Sequence, residues 1–312
     1  MDKFSKSVDK VLYSESHWTR AEVKKQLSNR GYYIGKTIGE GSYSKVYYSE
    51  FRKSGQQFAE RRACKIIDRK QCSMQHSHFL PGEIKTMIAL NHPNIISVHS
   101  VFEFGPFVCI FMDHCHHGDL LQRIQERGKL SESKARLFFH QLVSAVNYMH
   151  TNGFCHRDIK CENVLLASPT HVKLSDFTFS KKCSNEVTIE QLSATFCGSV
   201  AYAAPEILKG IRYDPKRGDM WSLGCVLFIM LTETMPFDET NILETITRQE
   251  RKQYFYPEGV KLNPTILDLI DCLIEPDVVA RASIGQVVQH PWINKSDPLK
   301  VEMSVSGTIQ GN

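Results

Sequence analysis

The chain has 312 residues, 42% hydrophobic and 23% charged, and no apolar run of the roughly 18 residues that cross a bilayer, so we predict a globular chain without membrane insertion. The net charge of +4 arises mainly in residues 1–30, and no basic stripe with interleaved aromatics follows, so no nucleic-acid partner is predicted. Ten scattered cysteines without a recognisable secretory leader indicate free thiols in a cytoplasmic protein.

The first half of the chain reads as a polar, basic extension followed by a small sheet. Residues 1–31 are expected to be a solvated extension with a short helix near residues 19–27. The pattern then predicts a helix over residues 81–90. The strands predicted around it span residues 33–38, 45–51, 58–67, 96–103 and 107–112.

A glycine-containing turn joins the first two predicted strands. Its residues are Ile38, Gly39, Glu40, Gly41, Ser42, Tyr43, Ser44, Lys45 and Val46. Glycines let a backbone turn tightly and approach phosphates closely. A P-loop would need glycine where Arg30 stands, and a Rossmann turn would open a helix where this chain continues as a strand. A phosphate-binding hairpin is therefore the better interpretation.

Lys65 on the third strand has apolar neighbours and precedes Glu83, on the predicted helix, by 18 residues. A lysine held by a helical carboxylate can hold the α- and β-phosphate oxygens of a nucleotide. The sequence therefore predicts a Lys65–Glu83 ion pair.

Beyond Gly118 the chain becomes helical. Ser131 can cap a helix whose apolar residues recur at the i, i+3, i+4, i+7 spacing of one buried face. Further helices are predicted over residues 219–232, 241–249, 266–273 and 284–289. We therefore expect a small sheet-rich half followed by a larger helical half.

The segment from Cys155 to Asn163 contains several candidate catalytic and metal-binding residues close together. Asp158 can accept a hydroxyl proton, and Lys160 can neutralise charge on a transferring phosphate. Asn163 and Asp176 are hard oxygen donors suited to magnesium. Together with the glycine turn and Lys65, these residues predict phosphoryl transfer, which depends on positioning and charge compensation.

The segment of residues 195–206 follows, and it favours a serine or threonine hydroxyl as acceptor. Ser199 is placed to contact Asp158, and Lys160 is a residue that tyrosine-specific enzymes usually lack. Two long-range contacts are also predicted. Glu206 should pair with Arg281, and Asp219 should anchor the backbone of the Asp158 loop.

These motifs span residues 32 to 293 in the order found in protein kinases. Gly39–Val46, Lys65–Lys70, Phe79–Ile84, Lys160–Asn163 and Lys173–Phe177 resemble the testis-specific serine/threonine kinase family, within the calcium/calmodulin-type kinase group. The resemblance implies an α+β bilobal fold with an N-lobe over residues 32–113, a C-lobe over residues 114–293 and a short tail over residues 294–312. It also implies ATP and magnesium as cofactors, with Ala63, Asp113 and Cys115 in the nucleotide site.

One residue departs from the kinase pattern: Thr178 stands where glycine usually follows Asp-Phe. A β-branched residue restricts the backbone and resists positive φ, so a stiffer but active loop is expected. The alternative is a pseudokinase scaffold with weak or no turnover. Asp176 and the other charged catalytic positions are all filled, which favours the enzyme.

The sequence and the family resemblance also lead to expectations about regulation and partners. Thr195 stands where an activating phosphate, from an upstream kinase or from autophosphorylation, would pair with Arg157. Asp119 and Glu162 match carboxylates that select arginine upstream of the target residue, so protein substrates of the type Arg-x-x-Ser/Thr are predicted. The resemblance further implies a role in male germ-cell differentiation and a heat-shock chaperone as a partner.

Overall fold

The structure is a computed structural model. It describes residues 8–9, 18–41, 44–53, 55, 57–71, 82, 84–183, 193, 198–237 and 240–294. The predicted site residues Ser42, Tyr43 and Glu83 and the predicted phosphorylation site Thr195 lie outside these residues, as does the predicted tail beyond Asn294. No helix in these described ranges is long and apolar enough to cross a membrane.

A six-stranded sheet forms the first lobe, in the order β1-β5-β6-β4-β3-β2. Strand β1 pairs parallel with β5, and the other neighbours are antiparallel. The strands are β1 (Val8–Asp9), β2 (Tyr32–Glu40), β3 (Ser44–Phe51), β4 (Glu60–Asp68), β5 (Val98–Phe104) and β6 (Phe107–Asp113). Each predicted strand is present, and its bounds differ from the prediction by a few residues at most.

The two faces of this sheet pack against different partners. Alternate residues of a strand point to opposite faces, so Ala63 and Ile67 of β4 share the face of Lys65 and pack towards the 84–89 helix and the second lobe. Cys64 and Ile66 point the other way, into a second apolar cluster.

Helix α1 (Arg20–Ser28) covers that second face. Val23 is 1% exposed and Leu27 is 0% exposed, and the Trp18 ring lies 5.3 Å from that of Phe104. Thr19 caps the helix in a capping box with Glu22. The helix was predicted, but the expectation of a solvated extension is wrong for residues 18–31. One turn of apolar residues on α1 is enough to dock it.

The second lobe is helical and is built around two long buried helices, α3 and α5. Its helices are α2 (Leu120–Arg127), α3 (Glu132–Thr151), α4 (Pro205–Leu208), α5 (Pro215–Thr232), α6 (Ile242–Glu250), α7 (Pro264–Leu273), α8 (Ile284–Gln289) and α9 (Pro291–Asn294). Ser131 caps α3, as predicted, by accepting from the Lys134 N–H. Helix α5 begins four residues before its predicted start because Asp214 caps it and Pro215 fits its first turn.

Two small two-stranded sheets position the chemical residues. Strand β7 (Phe154–Cys155) pairs with β10 (Lys181–Lys182), and β8 (Val164–Ser168) pairs with β9 (His171–Leu174). The loop of residues 156–163, the catalytic loop, therefore lies between β7 and β8, and Asp176 lies two residues after the end of β9.

Candidate active site

Asp158 is buried at the centre of the site and is held from three sides. Its Oδ1 accepts from the Ser199 N–H at 3.0 Å and from the Ser199 hydroxyl at 3.1 Å. Its Oδ2 lies 3.0 Å from Lys160 Nζ and 3.1 Å from Asn163 Nδ2. Lys160 also donates to the Ser199 hydroxyl at 2.8 Å. The structure thus brings together Asp158, Lys160 and Asn163, and the predicted contact of Ser199 with Asp158 is confirmed.

Asp219 of α5 fixes the backbone of this loop. Its carboxylate accepts from the N–H groups of His156 and Arg157 at 2.9 and 2.8 Å, and from His150 Nε2 at 2.8 Å. Burial acts to raise the pKa of Asp219, but the bonds from His150 and His156 outweigh it and lower that pKa. Arg157 takes a left-handed φ of 66°, which these bonds hold in place. The predicted anchoring role of Asp219 is confirmed.

Asp176 joins the two lobes through Lys65. The Lys65 Nζ atom lies 3.5 Å from Asp176 Oδ1, and 42% of the Asp176 side-chain surface remains exposed. Burial acts to raise the pKa of Asp176, but the Lys65 ammonium and the Thr178 hydroxyl bring it down to about 2. Asp176 is therefore an ionised, accessible carboxylate facing the cleft between the lobes.

Thr178 contacts both of these residues. Its hydroxyl donates to Asp176 Oδ1 at 2.7 Å and accepts from Lys65 Nζ at 3.4 Å. The positive φ in this segment, 61°, belongs to Asp176 and not to Thr178, so the β-branched side chain is not strained in the way its sequence position suggested. The missing glycine was evident from the sequence, but the contacts of the Thr178 hydroxyl were not predicted. A hydroxyl two residues after a carboxylate was the available signal.

The described part of the glycine turn is a tight hairpin. Gly39 pairs with Val46, the Gly41 N–H donates to the Ser44 carbonyl at 2.8 Å, and Lys45 pairs with Glu40 at 2.7 Å. Ile38 is exposed beside the turn. Two further members of the predicted nucleotide set, Ala63 and Lys65, lie on β4 next to β3.

Asp113 and Cys115 end β6 and begin the connection to the second lobe. The Asp113 carboxylate accepts from His99 Nε2 and Lys173 Nζ, both at 2.8 Å, and from the Ser97 N–H at 3.1 Å. Burial opposes these bonds, but they hold the pKa of Asp113 well below its usual range. Its side chain is therefore engaged in bracing the two lobes. Burial raises the pKa of the Cys115 thiol to about 11, so that thiol is protonated.

The donor set fits magnesium. The Asn163 amide nitrogen donates to the Asp158 carbonyl at 2.8 Å as well as to its carboxylate, which leaves the amide oxygen as the free donor atom. That oxygen and the Asp176 carboxylate are hard ligands, and magnesium takes few ligands from protein. Among the described residues there is no group of three His, Cys, Asp or Glu side chains that could hold a metal.

A sheet-rich lobe and a helical lobe, with this loop and carboxylate at their junction, define a protein kinase. The protein kinase domain model matches residues 32–293. The chain is 44% identical over 272 residues to testis-specific serine/threonine-protein kinase 1 of Mus musculus, covering 86% of this chain and 73% of that protein. It is 41% identical over 269 residues to testis-specific serine/threonine-protein kinase 3 of Homo sapiens, covering 86% and 97%.

The chain therefore belongs to the testis-specific serine/threonine-protein kinase family. It is an ATP-dependent protein kinase that phosphorylates serine and threonine. The pseudokinase alternative finds no support in the site, where Thr178 strengthens the Lys65–Asp176 contact.

Proposed function

We propose that Asp158 orients the substrate hydroxyl and accepts its proton, while Lys160 stabilises the charge that develops on the transferred γ-phosphate. The observation that carries this proposal is that both side chains contact the Ser199 hydroxyl. The Asp158 carboxylate and the Lys160 ammonium therefore lie side by side at one position in the site. Lys65 would hold the α- and β-phosphates. Asn163 and Asp176 would hold magnesium, which when bound offsets the charge of the phosphates.

The test is phosphate transfer from Mg-ATP to an Arg-x-x-Ser peptide. Asp158→Asn keeps the shape of the side chain but removes the proton acceptor, so kcat should fall about 10²- to 10⁴-fold. Asp268→Asn, an exposed carboxylate on α7, is the matched control and should keep wild-type activity. Equal activity of wild type and Asp158→Asn would exclude the proposed role of Asp158.

We further propose that the protein substrate carries a basic residue on the N-terminal side of the target serine or threonine. Glu162 is exposed and accepts from the Tyr202 hydroxyl at 3.1 Å, which fixes its carboxylate. Asp119 caps α2 through one oxygen, bonded to the Gln122 N–H at 2.8 Å, and its second oxygen can bind a cation. A peptide library should show arginine enrichment that decreases in Glu162→Gln. A library that shows no arginine enrichment among the phosphorylated peptides would contradict this preference.

The biological setting proposed for this activity is male germ-cell differentiation, and its support is the names of the relatives. A cytoplasmic location, a heat-shock chaperone partner and activation by phosphate on Thr195 stay predictions. Arg157 supports the last of these. Its guanidinium donates to the Phe179 carbonyl and to the hydroxyl of Ser193, which precedes Thr195 by two positions in the sequence. Phosphopeptide mapping of the active enzyme would test Thr195.

A further inference from the structure

Cys155 and Cys183, from two different segments, lie in contact beside the catalytic loop of residues 156–163. Cys155 ends β7 directly before His156, and Cys183 follows β10. Their sulfur atoms lie 2.8 Å apart. The backbones are joined as well, since the Cys183 N–H donates to the Gly153 carbonyl at 2.7 Å. Gly153 permits this approach, because a Cβ there would lie 2.8 Å from the Cys183 carbonyl oxygen.

This arrangement is close to that of a disulfide. A sulfur–sulfur bond is about 2.05 Å long, so bond formation requires a movement of less than about 1 Å. Cys155 lies on β7 opposite Lys181 of β10, and Cys183 directly follows that paired strand. We propose that Cys155 and Cys183 form a modification site, a dithiol that hydroperoxides oxidise to a disulfide linking the catalytic loop to the segment after Asp176.

The two thiols differ in pKa and in exposure, and these differences indicate which thiol reacts with the peroxide first. The hydrogen bond with Cys155 lowers the pKa of Cys183, and the charges of Lys181 and Arg157 act in the same direction, against burial and the Asp219 carboxylate. Burial raises the pKa of Cys155 well above the usual value. Cys183 is 9% exposed and Cys155 is 0% exposed. Cys183 is therefore the thiol that reacts first, and Cys155 is the resolving thiol.

The reaction balances with a hydroperoxide as the oxidant. The Cys183 thiolate attacks the terminal peroxide oxygen, the O–O bond breaks, and the leaving oxygen takes up a proton, which gives a sulfenic acid. The Cys155 thiol then loses its proton and attacks that sulfur, and the expelled hydroxide takes up the proton as water. Two thiols are oxidised to one disulfide and one peroxide is reduced.

The disulfide would reinforce contacts that are already present. Arg157, two residues after Cys155, donates to the Phe179 carbonyl at 2.6 Å, so the catalytic loop already holds the residues that precede β10. A covalent link at Cys183 would restrain the same segment. A second cysteine pair provides an internal comparison. Cys64 and Cys109 are hydrogen-bonded and fully buried in the sheet, and burial raises the pKa of Cys64, which makes that pair unreactive.

The experiment is disulfide mapping of the full chain after a few equivalents of hydrogen peroxide near neutral pH, with no kinase assay involved. Combined cleavage after Arg157 and Glu186 separates Cys183 from Cys197 in the sequence. The expected result is a peptide linking Cys155 to Cys183 that disappears on reduction with dithiothreitol. A link between Cys183 and Cys197 instead, or oxidised cysteines without a link from Cys155 to Cys183, would overturn the proposal.

Two variants test the roles of the two thiols. Cys155→Ser should leave Cys183 as a sulfenic acid that dimedone traps and that further peroxide converts to sulfinic acid. Cys272→Ser, on α7, is the control and should still form the link. In wild type, amide hydrogen exchange at residues 179–183 should slow on oxidation and recover on reduction. A wild-type exchange rate that oxidation leaves unchanged would show that the segment is not restrained. These readouts do not depend on the proposed catalytic roles.

Discussion

Thr178 shows how one side chain can adjust Asp176, the carboxylate that we propose as a magnesium ligand. Its hydroxyl donates a hydrogen bond to Asp176 Oδ1 and accepts one from Lys65 Nζ. Thr178→Val removes the hydroxyl at nearly constant volume and leaves Asp176 with one donor fewer. A hydrogen bond of this kind contributes about 1 kcal/mol, so the KM for magnesium should rise about fivefold. Thermal stabilisation by magnesium and ADP should decrease in parallel.

Two further substitutions separate the hydroxyl from backbone stiffness. Thr178→Ser keeps the hydroxyl and should behave like wild type. Thr178→Gly removes both the hydroxyl and the β-branch. If it resembles Thr178→Val, the hydroxyl is the cause, whereas a distinct rate would indicate that backbone freedom matters. Wild-type magnesium dependence in both Val and Gly variants would contradict both explanations.

At the scale of an element, α1 is a structural part of the first lobe. Leu27 is fully buried between α1 and the sheet, where it joins the cluster of Tyr32, Phe102 and Phe111. Leu27→Ala would leave a cavity there, and truncations of this kind cost about 2–5 kcal/mol. Denaturant unfolding should therefore show a lower midpoint for this variant with an unchanged slope.

The control is Lys25→Ala on the exposed side of the same helix. It should change the free energy of unfolding by less than about 0.5 kcal/mol. If both variants unfold at the wild-type midpoint, α1 does not contribute to the stability of the folded chain.

The same helix shows what a sequence can predict. Thr19 and Glu22 indicate where the helix begins, because a capping box is formed by residues only three positions apart in the sequence. Its burial was missed because Val23 and Leu27 stand among charged residues and form too narrow an apolar stripe to predict docking. The contact of Cys155 with Cys183 was missed for a related reason. It depends on the pairing of β7 with β10, two strands of two residues each, which carry almost no periodic signal.

At the scale of the whole molecule, ion pairs between distant segments hold the site in place. Lys65 and Asp176 connect the lobes, and Glu206 with Arg281 connects α4 to the loop before α8. The second pair was predicted from the order of motifs along the chain, and the structure confirms it. Its two bonds measure 2.6 and 2.9 Å, and Arg281 is 0% exposed. A bidentate geometry of this kind requires a guanidinium.

Arg281→Met tests how much this pair contributes. The variant leaves the Glu206 carboxylate buried without its partner, and breaking a buried pair costs about 3–5 kcal/mol. The double variant Arg281→Met/Glu206→Leu removes the stranded charge and should recover part of that loss. Full recovery is not expected, because Arg281 also donates to the carbonyls of Glu275 and Arg217 at 2.7 and 3.0 Å.

Arg281→Lys keeps the charge but cannot form both bonds, so its unfolding free energy should fall between those of wild type and Arg281→Met. Denaturant unfolding of the single and double variants gives the coupling energy between Glu206 and Arg281 directly. A coupling energy near zero would mean that Arg281 stabilises the lobe only through the two carbonyls and through its packing 5.1 Å from the Trp221 ring. A large coupling energy would place the pair among the contacts that hold α4, and with it the segment after Ser199, against the rest of the lobe.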